Sequence, residues 1–338
     1  MEKKSIRKDE HAVSPIVATL VLIVVAVVGA VAVGTIMGTF STDVSKQANA
    51  EGAGAAAQTE ILIAGSTTVQ PASEELAKSY MEEHPGLKIT VQGGGSGAGV
   101  SSAGMGIVDI GAASRALNDA EKASYPDLET YQIGGSAVVF ITSDAATSVT
   151  SATKTELKDA YQSKAFAPNL TGIDDRYQRS EASGTEDTVS NYLLGSDSAM
   201  NGITNCTGQL GNAGMLAAVK AATTSGKYKL GFVDFGYAVD SSGVEVSGIK
   251  IIRVIDGNVD GSKSVDRINI LAALKDNKAG LTPTTQSNNY PVKLTRPLNY
   301  IIKGTPSSVV KNFITYCQSP GAIDDFKAAG MFGITEFA

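Results

Sequence analysis

Three short stretches gather glycines and small hydroxyl side chains where a strand hands the chain to a helix. The first, ILIAGSTTVQPASEEL (61–76), runs from an apolar segment through Gly65, Ser66, Thr67 and Thr68 to Pro71 and an amphipathic run. The second begins at Ile89 as ITVQGGGSGAGVSSAGMGIVDIGAASR, passing three glycines to Ser96 and ending on Ser114 and Arg115. The third, RYQRSEASGTEDTVSNYLL, carries Arg179 four residues ahead of the run Ser183, Gly184, Thr185. The chemistry such residues share is anion holding. A helix start offers free N–H groups and a partial positive charge, small side chains let a ligand reach the backbone, and an arginine fork suits a tetrahedral oxyanion. Each stretch also reads as an ordinary helix cap, so anion holding requires all three to converge. The glycines of the second are not a P-loop, because GxxxxGK[ST] needs a lysine that is missing here.

The elements that must position these residues can be read around them. Ile61 to Ala64 is a buried strand, and a helix opens near Pro71, whose fixed φ and missing N–H suit a first turn. Ile89 starts a second strand, Ser96 a short helix of small residues, and a further apolar segment leads into Ser114. Ser183 and Glu186 have the S-x-x-E spacing of a capping box, which opens an amphipathic helix.

Composition narrows the function classes. A chain of 338 residues, 43% hydrophobic and 18% charged, has room for two domains with real cores and is not disordered. Two histidines, His11 and His84, are too few and too far apart for imidazole metal or acid–base sites. No metal-ligand cluster and no nucleophile–base pair stands out, which disfavours an enzyme, and no cofactor is implied. The net charge is −6; residues 1–40 hold four Lys/Arg and three Asp/Glu, leaving 24 basic against 31 acidic residues, or −7. That balance argues against nucleic acid as a partner, and it means that any anion must be caught locally against the overall field. Cys206 and Cys317 have no CxxC spacing, and Cys317 falls on the apolar stripe Val309, Val310, Phe313, Ile314, as a buried thiol would.

The amino terminus has its own logic. Residues 1–11 form a basic leader with Lys3, Lys4, Arg7 and Lys8, and no charged residue follows between Glu10 and Asp43. The apolar core of 12–40, roughly Ile16 to Met37, is long enough to cross a bilayer core of ~30 Å as one transmembrane helix, and exceeds the about 7–15 apolar residues of a secretory signal. The basic side stays cytoplasmic, which places everything after Phe40 outside the cell, at its surface. RKDEHAVSPIVATLVLIVV resembles the start of archaeal type IV pilin-like proteins, which implies clipping near His11 or Ala12 and retention of the helix; a plain signal-anchor is the alternative. Ala30, Gly34 and Gly38 form a small-residue ridge suited to self-assembly through that helix. Residues 41–58 read as a linker rich in Ala, Gly, Ser and Gln, or as a continuation of the helix.

Downstream, GSTTVQP, QGGGSGAG, VDIGAASR, RSEASGT and KLGFVDFGYA stand in the order seen in phosphate-binding receptors of ABC importers, the PstS-like family. YPVKLTRPLNYIIKG and SPGAIDDFKAAG complete a resemblance that covers about residues 59–336. It implies an α/β, two-lobed periplasmic-binding-protein-like fold of type II with hinge crossover strands. Lobe one would be 59–140 with 300–338, and lobe two 141–299. It also implies a membrane-tethered receptor that delivers inorganic phosphate to ABC permease and ATPase subunits. Phosphate contacts carried over motif by motif are Ser66, Thr67, Thr68, Ser96, Arg179, Ser183, Gly184 and Thr185. Several family members have an aspartate where Ser114 stands; here Ser114 and Arg115 replace it, and Arg115 is either a contact or a surface charge. Asp109 aligns with a structural position. Receptors for other oxyanions such as sulfate, and a pilin-like adhesive subunit, are the competing readings.

Overall fold

The computed structural model describes residues 59–338 apart from 163–165, 205 and 225–226. The basic leader, the apolar segment 12–40 with its pilin-like start and small-residue ridge, and the linker 41–58 lie outside the described residues. Among the described residues no helix is long and apolar enough to cross a membrane.

Strand β1 (Thr59–Gly65) buries alternate residues, Ile61 and Ile63, as a pleated strand against a core must. It leads through Ser66–Thr68 into α1 (Gln70–Glu83), which has Pro71 in its first turn and buries Ala72, Leu76, Ala77 and Tyr80. β2 (Leu87–Gly93), α2 (Ser96–Gly104) and β3 (Ile110–Ala113) follow, with β2 and β3 both parallel to β1. The glycines here allow close approach. Gly65 has φ +140°, and a Cβ on it would lie 2.3 Å from the Ala112 carbonyl oxygen and 2.7 Å from Gly99 Cα, so only glycine fits between β1, β3 and α2.

After α3 (Asp119–Ser124) comes β4 (Leu128–Ser143), a strand of 16 residues that serves two sheets' worth of partners. Its first part pairs antiparallel with β10 (Thr295–Lys303), and its last part with β8 (Tyr228–Asp234) and β9 (Ile249–Ile255). Between them run β5 (Ser151–Thr153), α4 (Lys154–Gln162), β6 (Ile173–Arg179), α5 (Gly184–Leu194), β7 (Thr207–Gln209), α6 (Gly211–Ala221) and α7 (Phe235–Ala238). α8 (Arg267–Lys278), α9 (Ser308–Cys317), α10 (Ile323–Ala328) and β11 (Phe332–Gly333) complete the chain. The strand order is β2-β1-β3-β10-β4-β8-β6-β7, with β6 parallel to both β8 and β7.

Two main cores flank this continuous path. One joins Ile61, Ile63, Leu76, Ile110, Tyr300, Phe313, Cys317 and Phe326; the other joins Phe140, Leu157, Val189, Leu193, Phe232, Ile252 and Ile270. The change of core falls inside β4, between Ile133 and Ala137, and around the start of β10, between Leu294 and Leu298. Two antiparallel strands therefore carry the chain between the lobes of an α/β fold, an arrangement in which a few residues can absorb a hinge motion. Phe332 and Phe337, near the carboxyl end, pack with the second core. Both cysteines are free, and Cys317 is buried on the apolar face of α9.

Candidate functional site

The carboxyl ends of β1, β2, β3, β6 and β8 meet at the seam between the lobes, the place where open α/β sheets present ligand groups. On the first lobe, Ser66 Oγ donates to Ser114 Oγ (3.1 Å) and accepts the N–H of Thr68 (3.2 Å). Ser96 Oγ accepts the N–H of Ser114 (3.2 Å) and lies 3.4 Å from its hydroxyl. Across the seam, Thr68 Oγ1 sits 3.1 Å from Thr185 Oγ1, Gly184 N donates to Ser96 Oγ (3.3 Å), and Arg179 Nη2 donates to Thr67 Oγ1 (3.1 Å). A Cβ on Gly184 would fall 2.6 Å from Ser114 Oγ and 2.8 Å from Ser96 Oγ, so glycine is what lets the start of α5 reach the hydroxyls of lobe one.

Ser183 caps α5, its Oγ accepting the N–H groups of Thr185 and Glu186. Only this half of the expected capping box forms. The Glu186 carboxylate turns away from the cap and accepts the backbone N–H of Arg179 (2.5 Å), tying the end of β6 to the helix that follows. Asp109 has a structural place: its carboxylate accepts the N–H of Leu62 (2.8 Å) and holds the neighbouring strand β1.

Three further residues complete the cluster. Arg296, at the start of β10, is 3% exposed; Nη1 donates to Ser114 Oγ (3.2 Å) and Thr185 Oγ1 (2.8 Å), and Nη2 to Thr68 Oγ1 (2.8 Å) and Asp234 Oδ2 (2.7 Å). Asp234, at the end of β8, is held in turn by Ser136 Oγ (2.9 Å) and the N–H of Gly236 (3.0 Å) on its other oxygen. Asn212, in the first turn of α6, donates to Thr68 Oγ1 (3.0 Å) and accepts the N–H of Asp234 (3.1 Å). Burial lowers the pKa of the Arg296 guanidinium, and Asp234 beside it opposes that shift. Arg179 is likewise paired, with the Glu181 carboxylate. The centre thus combines two buried, individually balanced guanidinium groups with hydroxyls from both lobes, a donor-rich arrangement.

Arg115 stands apart from this cluster. Its Nη1 and Nη2 each donate to one oxygen of Glu121 at 2.7 Å, and its Nε lies 2.6 Å from Asp187 Oδ2. Both residues lie just past the end of β3 and pack against Gly184 at the start of α5, but the Arg115 guanidinium reaches on to the carboxylates of α3 and α5 instead of joining the hydroxyl cluster.

Glu186 makes the site's protein frame sensitive to pH. Burial pushes its carboxyl up to about 7, against the opposing pull of Arg179. A carboxyl whose pKa is raised on folding favours the folded state while protonated, and that advantage is lost as pH rises from the ordinary carboxylate range to about 7. Without ligand, the wild-type chain is therefore expected to lose up to about 3 kcal/mol of stability across that window relative to Glu186→Gln. Denaturant melts of both proteins at pH 5 and pH 8 check this; parallel pH profiles would refute it.

Residues 50–320 match the family model described as the PBP superfamily domain, and the chain belongs to that family. Among curated relatives, the phosphate-binding protein PstS of Bacillus subtilis is 29% identical over 216 residues, 61% of this chain and 68% of its own. Among solved structures, a Clostridium perfringens protein named as a phosphate ABC transporter substrate-binding protein, with bound phosphate, superposes with a TM-score of 0.65. It is 23% identical and the match covers 82% of this chain and 100% of that one. An ABC-type phosphate transport receptor from Vibrio cholerae gives a TM-score of 0.55 at 24% identity, over 80% of this chain and 99% of its own.

Proposed function

We propose that the chain is a phosphate-binding receptor that serves an ABC importer. The observation that carries this reading is the meeting of Arg179 and Arg296 with Thr67, Thr68, Ser114 and Thr185 at one buried point between two lobes. The anion would take its charge-assisted bonds from the two guanidinium groups, and its neutral ones from Ser66, Thr67, Thr68, Ser96, Ser114 and Thr185 with the amide of Gly184; Ser183 supports them as the helix cap. Binding to groups on both lobes favours the closed arrangement, with β4 and β10 as the hinge strands between 59–140 plus 300–338 and 141–299. Charge-assisted hydrogen bonds of about 1.5–3 kcal/mol each suffice, after desolvation and closure, for a dissociation constant on the order of a micromolar.

Phosphate is the preferred anion, and the margin over sulfate is modest. Ser114 supplies a hydroxyl that can accept a proton-borne hydrogen bond but carries no charge to repel sulfate. Calorimetric titration of the full chain with phosphate, sulfate and a neutral control is expected to rank them in that order. Sulfate bound as tightly as phosphate would move the assignment to a general oxyanion receptor.

The apolar segment 12–40 anchors the receptor to the membrane with its binding lobes outside, and the pilin-like start implies that only the leader 1–11 is removed. The mature amino terminus is expected near His11 or Ala12. Intact-mass measurement of the native protein decides it, and a terminus beyond Phe40 would refute the anchor.

A further inference from the structure

The faces that the two lobes bring together beside the anion site are acidic. A cavity of about 490 Å³ at this seam is lined by Asp119, Glu181, Glu186, Asp187, Asp197 and a single cation, Arg115. Arg115 follows β3 in lobe one, and its guanidinium lies between carboxylates of both lobes: Nη1 and Nη2 donate to Glu121 on α3 of the same lobe at 2.7 Å each, and Nε forms an ion pair with Asp187 on α5 of the other lobe at 2.6 Å. The arginine side chain is 12% exposed, Glu121 14% and Asp187 25%, so solvent screens these charges only in part. Without Arg115, closing the lobes would press Asp187 toward Glu121 in a half-dry seam that already holds Glu181, Glu186 and Asp197.

We propose that Arg115 is a positioning residue, the counter-cation that allows two acidic lobe faces to close over the anion, and that it does not touch the anion itself. The proposal rests on the phosphate-receptor reading above and assigns the arginine of the Ser114-Arg115 pair a role in closure, leaving the hydroxyl of Ser114 facing the site. Burial pushes the Asp187 carboxyl up to about 6 even with Arg115 pulling the other way, which is the behaviour of a carboxylate that needs its cation.

The test is a charge-rescue experiment on the full chain, read by stopped-flow phosphate binding and by the distance between two spin labels, one on each lobe. Arg115→Gln is expected to raise the phosphate off-rate about tenfold with the on-rate within about twofold, because affinity differences within one interface lie mostly in dissociation. In the absence of phosphate the same variant should shift the label distances toward the longer, open population. Adding Asp187→Asn to Arg115→Gln removes the carboxylate that lost its partner, and should return both readouts to near the wild-type values. Measured in the Asp187→Asn background, Arg115→Gln should therefore change phosphate affinity by no more than about twofold, against the tenfold loss in the wild-type background. If Arg115→Gln binds like wild type, or if the double variant is as weak as the single one, the proposal is overturned; the second outcome is what a direct anion contact would give. A wild-type chain that binds no phosphate would overturn the receptor reading, while the label distances would still decide the role of Arg115.

Discussion

Replacing Arg296 with methionine is expected to cost about 3–5 kcal/mol of stability and to abolish measurable phosphate binding, because it strips the partner cation from a buried carboxylate. The side chains of Arg296 and Asp234 are 2% and 0% exposed, and the guanidinium is also the group that ties Thr68 and Ser114 of lobe one to Thr185 of lobe two. Asp234 would keep its bonds to Ser136 and Gly236 but would hold an uncompensated charge. The two losses can be separated. Adding Asp234→Asn to Arg296→Met removes the stranded charge, so most of the stability should return, whereas binding should stay weaker than wild type by about 2–4 kcal/mol. Melting curves without ligand, followed by calorimetric titration, distinguish them. If the double variant regains wild-type affinity, Arg296 is a structural partner of Asp234 only, and the anion's charge partner must be Arg179 alone.

Arg296 is also the clearest example of what the sequence did not disclose. The three strand-to-helix turns were legible because each is local: glycines, hydroxyls and a cap lie within a few residues, and Arg179 sits four residues from Ser183. Arg296, Asp234 and Asn212 have no such local signature. Arg296 meets Ser114, Thr185 and Thr68 at sequence separations of 182, 111 and 228, and Asp234 at 62. A signal existed: the arginine that opens RPLNYII and the aspartate that ends KLGFVD are opposite charges in two buried strands, and buried charges are seldom unpaired. Pairing them needed the topology, in which β4 brings β8 and β10 to opposite edges of one strand. Arg115 shows the converse limit. Its neighbour Ser114 joins the cluster, but Arg115 lies in the bend that follows β3, and the carboxylates that claim it come from α3 and α5. Residue types announce what a stretch can do; which side of the strand they face, and what meets them there, is settled by packing.

Arg179→Ala is expected to weaken phosphate binding by about 2–4 kcal/mol while leaving the ligand-free fold nearly as stable as wild type. The contrast with Arg296 follows from the partners. The Arg179 guanidinium pairs with Glu181, whose side chain is 15% exposed and which also accepts the N–H of Gly211 (3.3 Å), so the carboxylate left behind can recruit water in the seam cavity. The rest of Arg179 is held independently, through the bond from its backbone N–H to Glu186, which alanine retains. What the truncation removes is the lobe-two cation at the anion, together with the bridge from Nη2 to Thr67 in the opposite lobe. Arg179→Lys should recover only part of the loss, since a point charge cannot reach Thr67, Asn212 and an oxyanion with the planar fork that arginine offers. Thr67→Ala and Ser96→Ala should each cost less, about 1–2 kcal/mol, as single neutral groups. Calorimetry on all four variants, each first checked for an unchanged melt without ligand, sets the order. Wild-type affinity in Arg179→Ala would mean that Arg296 alone carries the anion's charge, and that closure of lobe two around Arg179 plays no part in binding.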